Sequence, residues 1–317
     1  MKKSRLLIVV AALGFLICCS IACVGLVSLS TLGSIDSNPF EIGDAVAVIY
    51  VEGPIVMGAP ASDFGGGGSA YSETIVEYLR KAQGDSSIKA IVLRVESPGG
   101  SVVASREIYD EVMTTRSKGK PVVASFGEIA ASGGYYISAG ADKIYAHAGT
   151  LTGSIGVISV IPNIEGLTDK LGVKMFVVKS GAHKDESYGF RDLSPEERDI
   201  WQKLIDESYE DFASIVASGR KLDINKVKSL ADGRIFTGKQ AKEVGLADEI
   251  GNLDAAILGA AKLGGITGKP RTIKYRRESS LFSAFASSVS PAWGSNEIID
   301  LFALKQWGRV MYLYMAP

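Results

Sequence analysis

The chain has 317 residues, of which 46% are hydrophobic, and its formal net charge is −1. This length accommodates a membrane anchor with one large or two small domains, and the charge gives no indication of a nucleic-acid partner. All three cysteines, Cys18, Cys19 and Cys23, lie in one hydrophobic run. The rest of the chain therefore has no structural disulfide, thiolate metal site or cysteine nucleophile.

The N-terminal region has the pattern of a membrane anchor. Residues 1–5 carry Lys2, Lys3 and Arg5, and residues 6–29 follow without a charge. That run exceeds both the roughly 20 residues that span a bilayer and the roughly 7–15 of a signal-peptide core. We interpret it as an uncleaved transmembrane signal anchor. Because the next Lys or Arg is Arg80, we predict a cytoplasmic N-terminus and an extracytoplasmic remainder.

A lipoprotein signal is the alternative interpretation of this region, with Cys23 as the lipidated residue. The segment Ser20-Ile-Ala-Cys23 has the small residue that such a signal places before its cysteine. It lacks the aliphatic residue three positions before the cysteine, which favours the anchor.

Beyond a linker rich in Ser, Gly, Asn and Pro at residues 30–44, strands and helices alternate. The apolar runs and helical spacings predict, in order, strand Ala45–Tyr50, helix Ser72–Ala82, strand Ala90–Val95, helix Val103–Arg116 and strand Val122–Phe126. Such alternation is typical of an α/β domain with parallel strands.

The second half of the chain is less regular. Extended segments are predicted at Gly153–Val160 and Lys174–Lys179. A long amphipathic helix is predicted from Ser194-Pro-Glu-Glu197, which has the N-cap serine, first-turn proline and glutamate of a helix start. Shorter helices are predicted at Thr237–Gly245 and Leu253–Leu263. Residues 276–317 form a tail rich in serine and aromatic residues, which could contact another subunit or the membrane surface.

One short stretch, Ala130-Ala-Ser-Gly-Gly-Tyr-Tyr136, follows the strand that ends near Phe126. A serine in the first turn of a helix lies near unpaired backbone N–H groups and the positive end of the helix dipole. These groups can stabilise an oxyanion, which makes Ser132 a candidate nucleophile. A serine that only caps the helix is the structural alternative.

A second glycine turn, Ser97-Pro-Gly-Gly-Ser101, also lies between a strand and a helix. Adjacent glycines expose backbone N–H groups, which commonly form oxyanion holes. The carboxyl ends of parallel strands meet at one edge of a sheet. We therefore expect the two glycine turns to share one crevice.

A nucleophilic serine needs a base, and the chain has two histidines, His147 and His183. His183 precedes Lys184, and a lysine can accept a proton if burial lowers its pKa toward neutrality. His147 is the rival base, although its position suggests an exposed histidine at the end of a strand.

The two glycine turns resemble motifs of the signal peptide peptidase A (protease IV) family in its short form. Three further stretches add to the resemblance: Leu151-Thr-Gly-Ser-Ile-Gly-Val157, Ser180-Gly-Ala-His-Lys-Asp185 and Ala231-Asp-Gly-Arg-Ile-Phe-Thr-Gly238. The resemblance extends from about Val46 to Leu263. It implies a crotonase/Clp-protease-like α/β fold over a protease domain at residues 45–275, after the transmembrane helix.

The resemblance also implies roles for individual residues. Ser132 is the expected nucleophile, Lys184 the general base, and Ser154 the hydroxyl that orients the lysine amine. The backbone N–H groups of Gly99, Gly100 and Gly133 are the expected oxyanion hole. No metal or other cofactor is implied.

A membrane-anchored serine endopeptidase is the function that the resemblance implies. Its expected substrates are cleaved signal peptides and other unfolded, membrane-proximal polypeptides, degraded by a ring of identical subunits outside the cytoplasmic membrane. Whether Ser132 and Lys184 belong to one subunit or to two stays open at this stage. The alternatives are a crotonase-like acyl-CoA enzyme and an inactive membrane scaffold of the same fold.

Overall fold

The computed structural model describes residues 43–59, 68–277 and 310–313. The predicted anchor at residues 6–29 and most of the C-terminal tail lie outside these ranges. Within them, the structure has no helix whose length and hydropathy would suffice to cross a bilayer.

The described part of the chain alternates short and long elements. The strands are β1 (Ala45–Glu52), β2 (Ile55–Val56), β3 (Ala70–Tyr71), β4 (Ile88–Ser97), β5 (Gly99–Ser101), β6 (Val122–Ala131), β7 (Lys143–Ala146), β8 (Leu151–Gly153), β9 (Ile235–Thr237), β10 (Glu249–Ile250), β11 (Arg271–Tyr275) and β12 (Met311–Leu313). The helices are α1 (Ser72–Gly84), α2 (Val102–Ser117), α3 (Gly133–Ala139), α4 (Glu165–Lys170), α5 (Pro195–Arg220), α6 (Ile224–Leu230), α7 (Gly238–Val244) and α8 (Leu253–Leu263).

Eight strands form the main sheet, in the spatial order β10-β7-β6-β4-β1-β11. β8 pairs with the carboxyl end of β6, and β9 pairs with β8. Every pair is parallel except β8 with β9, so the predicted α/β class is confirmed. A smaller sheet has the order β12-β5-β2-β3 and includes the Gly99-Gly100 turn.

The main sheet is covered on both faces, which explains why its strands are apolar at consecutive positions. Along β1, Ala47 and Ile49 face the larger core, to which α1, α2, α3 and α5 contribute. The alternate residues Val46 and Val48 pack with Ala256 of α8 in a second core. The two cores hold β1, β4 and β6 rigidly, and the candidate site lies at the carboxyl ends of β4 and β6.

The second half of the chain departs from the predictions in two places. Residues Lys174–Lys179 form no strand in the described structure, so that prediction is wrong for the single subunit. The extended segment predicted at Gly153–Val160 is limited to the end of β8 and one isolated bridge between Ile158 and Met311. The long helix is confirmed as α5, with both halves of its capping box formed by Ser194 and Glu197.

Candidate active site

Ser132 lies at the junction where β6 ends and α3 begins. Its amide donates a hydrogen bond to the Gly153 carbonyl at 2.8 Å, and its carbonyl accepts one from the Tyr136 amide at 2.8 Å. Ser132 has φ 54° and ψ −117°, a sparsely populated conformation that costs a non-glycine residue roughly 1–3 kcal/mol. Residues held in such conformations are concentrated at functional sites.

The hydroxyl of Ser132 is buried and unpaired. The residue is 1% exposed, and Oγ has no hydrogen-bond partner among the described residues. Ser132 occupies the N-cap position of α3 but makes no side-chain cap bond, so its interpretation as a helix cap is wrong. An unpaired buried hydroxyl lowers the stability of the folded state by roughly 1–3 kcal/mol. The hydroxyl is therefore free to react with, or bond to, a group that enters the turn.

The Gly99-Gly100 turn approaches Ser132 closely, as predicted. A Cβ on Gly99 would lie 2.6 Å from the Gly133 nitrogen and 3.0 Å from Ser132 Cβ, and one on Gly133 would lie 3.0 Å from the Gly100 nitrogen. Only residues without a side chain permit this approach. The N–H of Gly99 already donates to Ser97 Oγ at 3.1 Å. The Gly99 N–H therefore already has a partner in this structure.

Ser154 follows β8 as Ser132 follows β6. The parallel register pairs Ala131 with Gly153, so the two serines leave neighbouring strand ends at the same level. Ser154 also has a positive φ, 46°, and its amide donates to the Arg234 carbonyl at 2.8 Å. It lines a cleft of about 470 Å³. The structure thus brings Ser132 and Ser154 together.

Lys184 is not brought to Ser132 in the same way. It lies in a series of turns at residues 182–187, and it is exposed. The Ser132 hydroxyl has no described partner, so no hydrogen bond joins the two side chains. Within these turns Asp185 is buried and pairs with Lys179 and Arg191. A single subunit therefore leaves the lysine without the burial that a neutral amine would need.

The segment that leads to Lys184 exposes apolar side chains. Met175 is 47% exposed, Phe176 is 88% exposed and Val178 is 100% exposed. Contiguous apolar surface of this kind is typical of a region that contacts another protein or a membrane.

Neither histidine lies at the Ser132 turn. His147 is exposed immediately after β7, in agreement with the prediction, and its Nδ1 accepts a hydrogen bond from the Gly149 amide. His183 Nδ1 lies 3.6 Å from Glu197 Oε1, and its Nε2 lies 3.8 Å from Glu196 Oε1. His183 thus faces the acidic first turn of α5.

One grouping of possible metal ligands occurs among the described residues. Ligand atoms of His183, Glu186 and Glu197 lie within 4.8 Å of one another. Both Glu197 oxygens accept hydrogen bonds from the Arg191 guanidinium, at 2.6 and 2.7 Å. A cation at this place would be repelled by Arg191, so the arrangement is better described as an ion-pair network.

The sequence did not predict the position of strand β12. Tyr312 lies opposite Gly100 in antiparallel pairing with β5, and Met311 bridges to Ile158 on the other side. The Tyr312 ring stacks on Tyr136 with centroids 4.8 Å apart. A Cβ on Gly99 would lie 2.2 Å from the Tyr312 carbonyl oxygen. A short segment of the tail thus occupies one edge of the Gly99-Gly100 turn.

Comparison with known proteins agrees with this geometry. The model of peptidase family S49 matches residues 114–267, and the model of the Clp protease family matches residues 48–150. The Synechocystis sp. protein slr0021, which is named as a protease, is 48% identical over 228 residues, covering 72% of this chain and 78% of that protein.

Two further relatives carry more specific names. A protein of Enterococcus faecium named as a signal peptide peptidase SppA is 41% identical, covering 74% of this chain and 65% of its own length. Protease 4 of Haemophilus influenzae is 40% identical over 71% of this chain, which spans about a third of that protein (35%). These matches favour a peptidase over the acyl-CoA alternative. The chain belongs to peptidase family S49 and is a serine protease.

Proposed function

We propose that this protein is a membrane-anchored serine endopeptidase in which Ser132 is the nucleophile and Lys184 the general base. The observation that carries the proposal is the strained Ser132 turn, with its buried and unpaired hydroxyl beside the backbone of Gly100 and Gly133. Ser154, at the neighbouring strand end, is the proposed partner that orients the lysine amine.

The proposed reaction proceeds in two steps. Ser132 Oγ attacks the peptide carbonyl carbon while its proton passes to the neutral amine of Lys184. The N–H groups of Gly133 and of the Gly99-Gly100 turn stabilise the oxyanion, and Lys184 returns the proton to the leaving amine. Water, deprotonated by Lys184, then hydrolyses the acyl-enzyme and regenerates the serine.

A base of this kind must be neutral, and a solvated lysine has a pKa near ~10.4. We therefore propose that Lys184 of one subunit completes the site of its neighbour in a closed ring, where contact with that neighbour desolvates the amine. The exposure of Lys184 and of the apolar segment before it supports this arrangement. The Ser132 hydroxyl also has no hydrogen-bond partner among the described residues, so no lysine of its own subunit engages it.

The proposed substrates are extended polypeptides. Met311–Leu313 pairs antiparallel with β5, so this edge accepts a chain in extended conformation, as in peptide recognition by strand addition. Cleaved signal peptides and unfolded, membrane-proximal segments have that conformation available, and the name of the Enterococcus faecium relative agrees with such a substrate.

The proposed location is the outer side of the cytoplasmic membrane, with residues 6–29 as the anchor. Protease added outside spheroplasts should digest a tag fused after Pro317 while the membrane stays intact. Protection of the tag until lysis would contradict the orientation.

A serine-directed active-site label tests the proposed chemistry. The label should attach to Ser132 and stop hydrolysis of an unfolded polypeptide, and Ser132→Ala should lose both labelling and activity. Ser117→Ala is the matched control, because Ser117 is exposed at the end of α2 and bonds only the Thr114 carbonyl of its own helix. A labelled residue other than Ser132, or full activity of folded Ser132→Ala, would contradict the proposal.

A further inference from the structure

Arg191 joins two buried carboxylates. Its Nη2 and Nε donate to Asp185 at 2.7 and 3.3 Å, and its Nη2 and Nη1 donate to Glu197 at 2.6 and 2.7 Å. The two carboxylate side chains are 9% and 3% exposed. Paired contacts of a guanidinium with a carboxylate fix both distance and orientation. Arg191 therefore defines the position of Asp185 relative to Glu197.

Asp185 is the residue that directly follows Lys184. Lys179 Nζ donates to Asp185 Oδ1 at 2.6 Å and to the Ala182 carbonyl at 2.7 Å. The turn is thus held on both sides of Lys184, while the lysine side chain itself is left exposed.

Glu197 connects this turn to the body of the subunit. It lies in the first turn of α5 and completes the capping box with Ser194. Further along α5, Phe212 packs against Tyr136 of α3, with ring centroids 5.1 Å apart. Because α3 begins directly after Ser132, one helix supports both the lysine turn and the serine turn of a subunit.

The charges around the turn also bear on Lys184. Lys179 and Arg191 face Asp185, and Arg191 and His183 face Glu197. His183 faces Glu196 as well, and Glu186 lies beside His183. Hydrogen bonds from Arg191 hold the pKa values of the Asp185 and Glu197 carboxyls below their ordinary range. Asp185 is therefore ionised and already paired, and is not left to pair with the neighbouring lysine.

From these contacts we propose that Arg191 is a positioning residue for the reaction, and this inference rests on the proposed role of Lys184 as base. Through Asp185 and Glu197, Arg191 fixes the turn that presents Lys184. It also keeps the Asp185 carboxylate away from the lysine amine, where it would favour the charged form of the lysine.

The test compares variants of the full chain in detergent. Arg191→Gln should lower kcat roughly tenfold to a hundredfold with little change in KM, because a misplaced base slows the chemical step. The acidic limb of the pH profile of kcat/KM should also move to higher pH, since Asp185, then held by Lys179 alone, can turn toward Lys184 and favour its charged form. Adding Asp185→Asn should return the limb toward that of the wild type while kcat stays low.

Arg80→Gln is the matched control. Arg80 also pairs with a largely buried carboxylate, Glu111, at 2.8 Å, but this pair joins α1 to α2. Its loss should change neither kcat nor the pH profile. If Arg191→Gln does not fold, Arg191→Lys decides, because lysine keeps the charge but cannot make paired contacts with both carboxylates. Arg191→Lys should lower kcat and leave the acidic limb of the pH profile of kcat/KM unshifted.

The inference would be overturned if folded Arg191→Gln had the wild-type kcat and an unshifted acidic limb. If only Arg191→Lys folds, a wild-type kcat in that variant would overturn it. A failure of the proposed function gives a different result, namely that folded Lys184→Ala remains active whatever Arg191 does.

Discussion

A ring with shared sites makes a quantitative prediction for mixtures of inactive subunits. In a head-to-tail ring, each interface would combine Ser132 of one subunit with Lys184 of the next. An interface is complete when a Lys184→Ala subunit supplies the serine and a Ser132→Ala subunit supplies the lysine. If subunits mix randomly at equal amounts, each condition holds in half of the cases, so about a quarter of the wild-type activity should return.

A second mixture distinguishes a shared site from a site within one subunit, and it does not depend on the return of activity to inactive chains. Wild-type chains are mixed with an equal amount of the double variant Ser132→Ala, Lys184→Ala. A shared site needs two wild-type neighbours, so about a quarter of the full activity should remain. A site within one subunit needs a single wild-type chain, so about half of the full activity should remain.

The assay is hydrolysis of a fluorogenic unfolded polypeptide, with subunit exchange measured by native mass spectrometry. Activity in the first mixture should follow the product of the two mole fractions and be greatest at equal amounts. Complete exchange with zero activity in the first mixture and about half in the second would refute the shared site. That result would require Lys184 to reach Ser132 of its own subunit by movement of the exposed turn.

Three further predictions concern the base, the tail strand and pH. Lys184→Ala and Lys184→Arg should each lower kcat by about 10²–10⁴-fold, because arginine stays protonated, whereas His147→Ala and His183→Ala should keep substantial activity. Inactivity of a folded histidine variant, together with activity of Lys184→Ala, would move the base role to that histidine. Deleting residues 310–317 should raise kcat/KM for a short peptide, because it frees the edge of β5; lower activity would show that the strand is structural. Hydrogen bonds from Arg191 hold the pKa of Glu197 at about 2 in the folded protein. The ionised Glu197 carboxylate should therefore stabilise the fold above its unfolded pKa near ~4.3, and this stabilisation should be lost as pH falls toward 2. Denaturation of Glu197→Gln should show a weaker loss of stability over that pH range than the wild type.

Much of the fold could be predicted because its sheet is buried on both faces. The consecutive apolar residues of β1 and β4 have no other common explanation in a chain that alternates strands with amphipathic helices. The capping box at Ser194 likewise determines where α5 begins. These signals are local, so a single sequence contains them in full.

The close approach of the two glycine turns was predictable from the sequence, but the conformation of Ser132 was not. The glycine turns indicated a close approach of backbone segments, which the Gly99 and Gly133 contacts confirm. The Ser132 turn, with its positive φ, is bonded through its amide to the Gly153 carbonyl of a neighbouring strand. The pairing of Tyr312 with Gly100 joins positions more than two hundred residues apart. No local pattern encodes such contacts.

The wrong strand prediction at Lys174–Lys179 is informative for the same reason. Its apolar run Met175–Val178, with one aromatic and two β-branched residues, favours a strand, yet in one subunit Phe176 and Val178 face solvent. A strand needs a partner edge, and the described subunit does not provide one for this segment. If the neighbour in the proposed ring supplies that edge, pairing of this segment would carry Lys184 into contact with the next subunit. The same association would then order the segment, desolvate the lysine and complete the serine site. Proteolytic activity would depend on assembly, and an isolated subunit would hold its strained serine without a base.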